Sequence, residues 1–173
     1  MNRLALLIAS GLILSACSPP AQPSASAPDT AASAATEAAA TTASVAAPST
    51  AAPSADDAKI LASLPAPYNE GNLDAGRREF AKCKSCHVIE AGAGNRVGPN
   101  LHGLFGRKAG ALEGFQYSDA VKNAGFVWDA AQLDSWLKDP KGFLPGNRMS
   151  FVGVKDEIKR RDLIAYIKVE SQK

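Results

Sequence analysis

Apolar positions along the chain fall into three regimes. Residues 4–14 form a largely apolar run, with Met1-Asn2-Arg3 before it and Ser15-Ala16-Cys17 after it. Residues 18–55 are almost entirely Ala, Ser, Thr and Pro, with hardly one large apolar side chain. Beyond them the pattern becomes helical. Ile60, Leu61 and Leu64 share one face of a short turn over 56–64, which Asp56 and Asp57 suit as a start and Pro65-Ala66-Pro67 stops. Leu73, Gly76, Phe80 and Cys83 recur at three- and four-residue intervals and predict a short helix. Residues 119–123 predict a small helix, and 129–138 another that ends at Asp139-Pro140. The clearest helix is 156–169, where Ile158, Leu163, Ile164, Tyr166 and Ile167 sit among charged neighbours. Between these elements, 91–110 and 141–153 are rich in Gly, Pro and Asn and predict long loops. No strand alternation and no internal repeat is visible.

This pattern divides the chain into 1–16, 17–70 and 71–173. The first has the layout of an export signal: basic start, short apolar middle, small residues before the cut. Its apolar run has 11 residues, against the roughly 20 a spanning helix needs. The second is a disordered tether, because prolines interrupt any long helix and nothing in it can build a core. Its 53 residues from Ser18 to Glu70 would span about 40 Å as a flexible coil. The third is a small domain whose helices and long loops make a poor core unaided, which implies that something else fills its centre.

Charge separates the same regions. Residues 1–70 carry two basic and five acidic side chains, which leaves seventeen basic and twelve acidic ones for the domain. That is too mildly basic for a nucleic-acid surface, and better suited to acidic protein partners.

The three cysteines resolve the chemistry. Cys17 stands apart, while Cys83-Lys84-Ser85-Cys86-His87 is a Cys-x-x-Cys-His string. Such spacing reads as covalent attachment of haem c. Two thiols about one helical turn apart can each add to a haem vinyl group, and the following His can place an imidazole nitrogen on the iron. A zinc site would need further Cys or His, and only His102 remains. A thioredoxin-type redox pair expects a βαβ setting that this pattern lacks. For the second axial position the residues alone leave His/Met, His/His or an open site, since the mature chain offers only Met149 and His102 besides His87.

Several ordered motifs resemble the class I c-type cytochromes, the mitochondrial-type proteins and their bacterial counterparts. They are the 83–87 string, Gly98-Pro99-Asn100-Leu101-His102-Gly103-Leu104-Phe105-Gly106-Arg107, Gly114-Phe115-Gln116-Tyr117-Ser118-Asp119-Ala120, Pro145-Gly146-Asn147-Arg148-Met149 and Asp162-Leu163-Ile164-Ala165-Tyr166. The resemblance implies an all-α domain wrapped around one haem, with His87 and Met149 as axial ligands and His102 structural. It implies that Pro99 holds His87 through its carbonyl, and that Arg107, Tyr117 and Trp128 surround the propionates. It further implies that Gly76 and Phe80 pack on Leu163 and Tyr166, and that Phe151 lies beside the haem edge. Lys82, Arg96, Lys141, Arg148 and Lys155 match a basic docking ring. Val121, Trp136 and Asn147 depart from the family pattern, which implies a shifted reduction potential. Separately, Leu14-Ser15-Ala16-Cys17 resembles a bacterial lipobox, in which Cys17 would become an acylated first residue. A nearby ordinary cut or an uncut signal anchor are the other readings.

The expected function is one-electron transfer without enzymatic activity. The chain would act as a monomer, lipid-anchored at the periplasmic face of a bacterial membrane, between a cytochrome bc-type complex and a terminal oxidase. Service to another periplasmic reductase, peroxidase or dehydrogenase is the competing role, and a haem gas sensor a further one.

Overall fold

The computed structural model describes residues 52–173. The signal segment, Cys17 and most of the expected tether lie outside the described residues. Six helices follow in order: α1 (Ala55–Ala62), α2 (Leu73–Phe80), α3 (Asp119–Lys122), α4 (Ala130–Lys138), α5 (Pro140–Phe143) and α6 (Glu157–Glu170), with one 3-10 turn over Tyr68–Glu70. Among the described residues the sole β feature is an isolated antiparallel bridge between Lys108 and Val127. None of the described helices is long and apolar enough to cross a membrane.

The helix starts follow local chemistry. Ser54, Asn72, Asp129, Asp139 and Asp156 each accept a hydrogen bond from a first-turn amide of the helix they precede, satisfying donors that have no partner inside the helix. Helix α5 was not expected from the pattern, which reads as loop from residue 141. Asp139 caps it and Pro140 occupies its first turn, where a proline loses no hydrogen bond.

The core forms where α2 crosses α6. Phe80 is 1 % exposed and Leu163 fully buried, and the Phe80 and Tyr166 rings meet at 5.3 Å between centroids. Gly76 sits at the crossing. A Cβ there would fall 2.6 Å from the Tyr166 Cβ and inside the Asp162 backbone, so only glycine lets the two helices approach this closely. The Asp162 carboxylate, itself buried, accepts from the Asn72 backbone at 2.9 Å and fixes the start of α2 on α6. On the other side of α6, the buried Arg160 guanidinium grips Asp134 of α4 with bonds of 2.8 and 3.2 Å.

One boundary moves. The tether was expected to run as disordered chain to residue 70, yet residues 54–70 are part of the folded unit. Leu64 is 6 % exposed and belongs to the central apolar cluster, with Leu61 and Tyr68 packed against it. Helix α1 lies on α6, and Lys173 at the far end of the chain bridges Asp57 at 3.0 Å and Glu170 at 2.7 Å. The apolar face of 60–64 is thus covered by a helix about a hundred residues later, a contact that local sequence cannot announce. Replacing Leu64 with Ala should lower the stability of the holoprotein by about 2 kcal/mol, the low end for emptying a buried leucine site. Denaturant titration measures it, and a midpoint unchanged from wild type would return this segment to the tether.

Candidate functional site

The Cys83–His87 turn continues from the end of α2. The Cys86 and His87 amides both donate to the Cys83 carbonyl, at 3.0 and 2.8 Å, so the two thiols lie about one turn apart. Neither cysteine is in a disulfide. A second segment runs beside this turn: the Gly98 amide donates to the Cys86 carbonyl and the Leu101 amide to the Val88 carbonyl, both at 2.8 Å. That register brings the Pro99 carbonyl within 2.8 Å of His87 Nδ1. A carbonyl can only accept, so Nδ1 carries the proton and Nε2 keeps its lone pair free. A side chain at Gly98 would press into the His87 ring; glycine is what allows the two segments to lie so close. Burial pushes the His87 pKa below its ordinary value, with the Pro99 hydrogen bond opposing, and it pushes the Cys83 thiol up to about 11. Both groups are therefore uncharged near neutral pH.

These side chains open onto a cavity of about 750 Å³. Cys83, Cys86, His87, Pro99, Arg107, Tyr117, Trp128 and Met149 all line it, so the structure brings the sequence-predicted cofactor residues together in one place. Leu101, Leu104, Val121, Leu133, Leu137 and Ile167 make its walls apolar, and Trp136 and Phe151 also face it. His102 is not part of the lining. Its backbone amide donates to Asn100 Oδ1 at 2.7 Å and its carbonyl accepts from Arg107 at 3.1 Å, which places it in the loop behind the site.

The polar corner of the cavity is built by backbone pairing. Trp128 N–H donates to the Arg107 carbonyl and Gly106 N–H to the Trp128 carbonyl, both at 2.9 Å, which holds Arg107 and Trp128 side by side. The Arg107 guanidinium donates to the Asn100 and His102 carbonyls at 3.0 and 3.1 Å. Among the described residues no carboxylate pairs with it. Ser118, also in the lining, has a buried hydroxyl without a partner. A half-buried cation and an orphaned hydroxyl at the edge of an apolar cavity fit a flat apolar group that carries its own carboxylates, as haem does. Sequence reasoning missed Ser118. A serine in a polar stretch carries no signal until the fold buries it.

The expected docking residues divide. All five are exposed. Lys82, Arg96 and Arg148 line the cavity mouth, whereas Lys141 and Lys155 do not. Lys82 is paired with Glu79 at 2.6 Å. Arg96 donates to the Lys84 carbonyl at 3.1 Å, Lys141 to the Asn147 carbonyl at 2.9 Å, Lys155 to the Lys138 carbonyl at 2.7 Å, and Arg148 to the Gln116 carbonyl. Four of the five thus also pin loops around the cavity while keeping their charge.

No family profile matches the chain. Individual proteins do. Cytochrome c2 of Blastochloris viridis is 50 % identical over 109 residues, covering 63 % of this chain and 86 % of that protein. Cytochrome c of Kluyveromyces lactis is 41 % identical over 105 residues, covering 60 % of this chain and 96 % of that protein. Among solved structures, cytochrome cH from Methylobacterium extorquens matches with a TM-score of 0.53 at 47 % identity, covering 57 % of this chain and 98 % of that one. The shared length, the all-α architecture and the cysteine pair at the mouth of a haem-sized cavity lead to one conclusion: the chain belongs to the class I c-type cytochromes, electron-transfer proteins carrying one covalently bound haem c, here attached through Cys83 and Cys86.

Proposed function

We propose that this cytochrome is a lipid-anchored, monomeric shuttle of the bacterial periplasm that takes electrons from a cytochrome bc-type complex and delivers them to a terminal oxidase, with His87 and Met149 as the axial ligands of its iron. The observation that carries the reading is the convergence of His87 and Met149, 62 positions apart in sequence, on one apolar cavity beside the cysteine pair.

The bound haem supplies a metal that can change charge by one electron. The protein's own residues decide what else it can do. His87, neutral and held by Pro99, presents Nε2 to the cavity; Met149 presents a thioether from another loop. With His87 and Met149 both holding the iron, no position would remain for a reactant. A thioether in the sixth place raises the potential relative to a second imidazole. The apolar walls act in the same direction, because they penalise the more highly charged oxidised state. Arg107, Tyr117, Trp128 and Ser118 would anchor the propionates at the polar corner.

Lys82, Arg96 and Arg148 at the cavity mouth, with Lys141 on α5 and Lys155 on the loop before α6, support docking to acidic partner surfaces. Such docking is steered at long range and weakened by salt. Glu79 offsets part of the Lys82 charge. The lipobox-like 14–17 string supports acylation at Cys17, and the Ala/Ser/Pro segment after it would hold the domain close to a membrane at high local concentration.

Two outcomes follow. The reduced holoprotein should bind carbon monoxide poorly, as followed by its visible spectrum; rapid, tight binding would identify a labile or open iron and defeat the carrier reading. Replacing Cys17 with Ser should move the protein from the membrane to the soluble fraction on cell fractionation, and a variant still recovered with membranes would rule out the lipid anchor.

A further inference from the structure

We infer that Asn147 is the residue that positions Met149, acting as a clamp between the methionine loop and the helix pair α4–α5. The inference rests on the reading of Met149 as an iron ligand. Asn147 lies two residues before Met149 and is 4 % exposed. Its side-chain oxygen accepts from the Met149 amide at 2.9 Å. Its side-chain nitrogen donates to the Pro140 carbonyl at 2.7 Å and the Leu144 carbonyl at 2.8 Å. The orientation of the amide follows from its partners, because an amide N–H can only donate and the two carbonyls can only accept. The backbone of Asn147 is equally engaged: its N–H donates to Leu144 at 3.2 Å and its carbonyl accepts from Lys141 at 2.9 Å. No polar group of this buried residue is left over.

The partners give the clamp its meaning. Pro140 and Leu144 bracket α5, which follows α4 directly, and α4 supplies Leu133, Trp136 and Leu137 to the cavity wall. One amide thus ties the Met149 backbone to α5, and through it to the α4 segment that walls the cavity. The far end of the same loop is fixed separately, by the Val154 amide on the Leu137 carbonyl at 2.7 Å. Between those two ties Met149 has little freedom to withdraw. A hydroxyl at position 147 could supply one acceptor and one donor. An aspartate would keep the acceptor, lose both donors, and set a charged oxygen against two carbonyls.

The test uses the oxidised holoprotein, with the far-red band of a sulfur–ferric iron bond and the affinity for added imidazole as readouts. Asn147→Asp should weaken the band and raise imidazole affinity by about tenfold or more, as expected when two buried hydrogen bonds are lost and a charged oxygen is set against the carbonyls that accepted them. Asn147→Thr should give a smaller change in the same direction, and it decides the matter if the aspartate variant does not fold. Ile164→Val, fully buried in α6 and away from the cavity lining, should lower overall stability with little effect on imidazole binding. A wild-type protein without the band would defeat the ligand reading of Met149 itself. A wild-type band with imidazole affinity unchanged in the Asn147 variants would overturn the clamp alone, and so would an equal rise in the Ile164 variant.

Discussion

The fold depends on a core that the polypeptide does not complete by itself. Leu104 from a loop, Leu133 and Leu137 from α4 and Ile167 from α6 converge on the wall of a cavity of about 750 Å³. In a domain this small, an apolar space of that size would cost most of the net stability if it held nothing. The thioether attachments at Cys83 and Cys86 make the filling permanent. Long loops then become tolerable, because they are pinned around a rigid group instead of packing only on each other. The family membership and the geometry meet here: the covalent haem completes the core as well as carrying the electron.

Much of the site was legible because covalent chemistry imposes spacing. Cys83, Cys86 and His87 must be adjacent on one turn, so they appear as a contiguous string. Pro99 and Met149 were recognisable from motifs that resemble relatives, and the structure places both in the lining with them. Periodicity marked helices α2 and α6, and the resemblance implied their crossing through Gly76 and Phe80 on one and Leu163 and Tyr166 on the other.

What stayed hidden depends on contacts between distant segments. Leu64 sits before a Pro-Ala-Pro string that looks like the end of a tether, and only α6 reveals it as core. Helix α5 is too short to show a period and begins inside a glycine-containing loop. Without it the carbonyls of Pro140 and Leu144 have no defined place, so Asn147 could be noticed as a departure but not given a task. Ser118 is similar: its hydroxyl acquires significance when burial removes water from it. The basic residues illustrate a different limit. Sequence marks Lys141 and Lys155 as surface charge, and they are exposed, yet each also holds a backbone carbonyl. Mutating one of them therefore changes loop anchoring together with charge.

The central claim is that the iron is clamped between His87 and Met149. X-ray absorption at the iron edge of the oxidised and reduced holoprotein addresses it most directly. The account predicts a single sulfur in the first coordination sphere beside nitrogen donors in both oxidation states. A sphere of nitrogen and oxygen donors alone, or one with an empty sixth position, would contradict it.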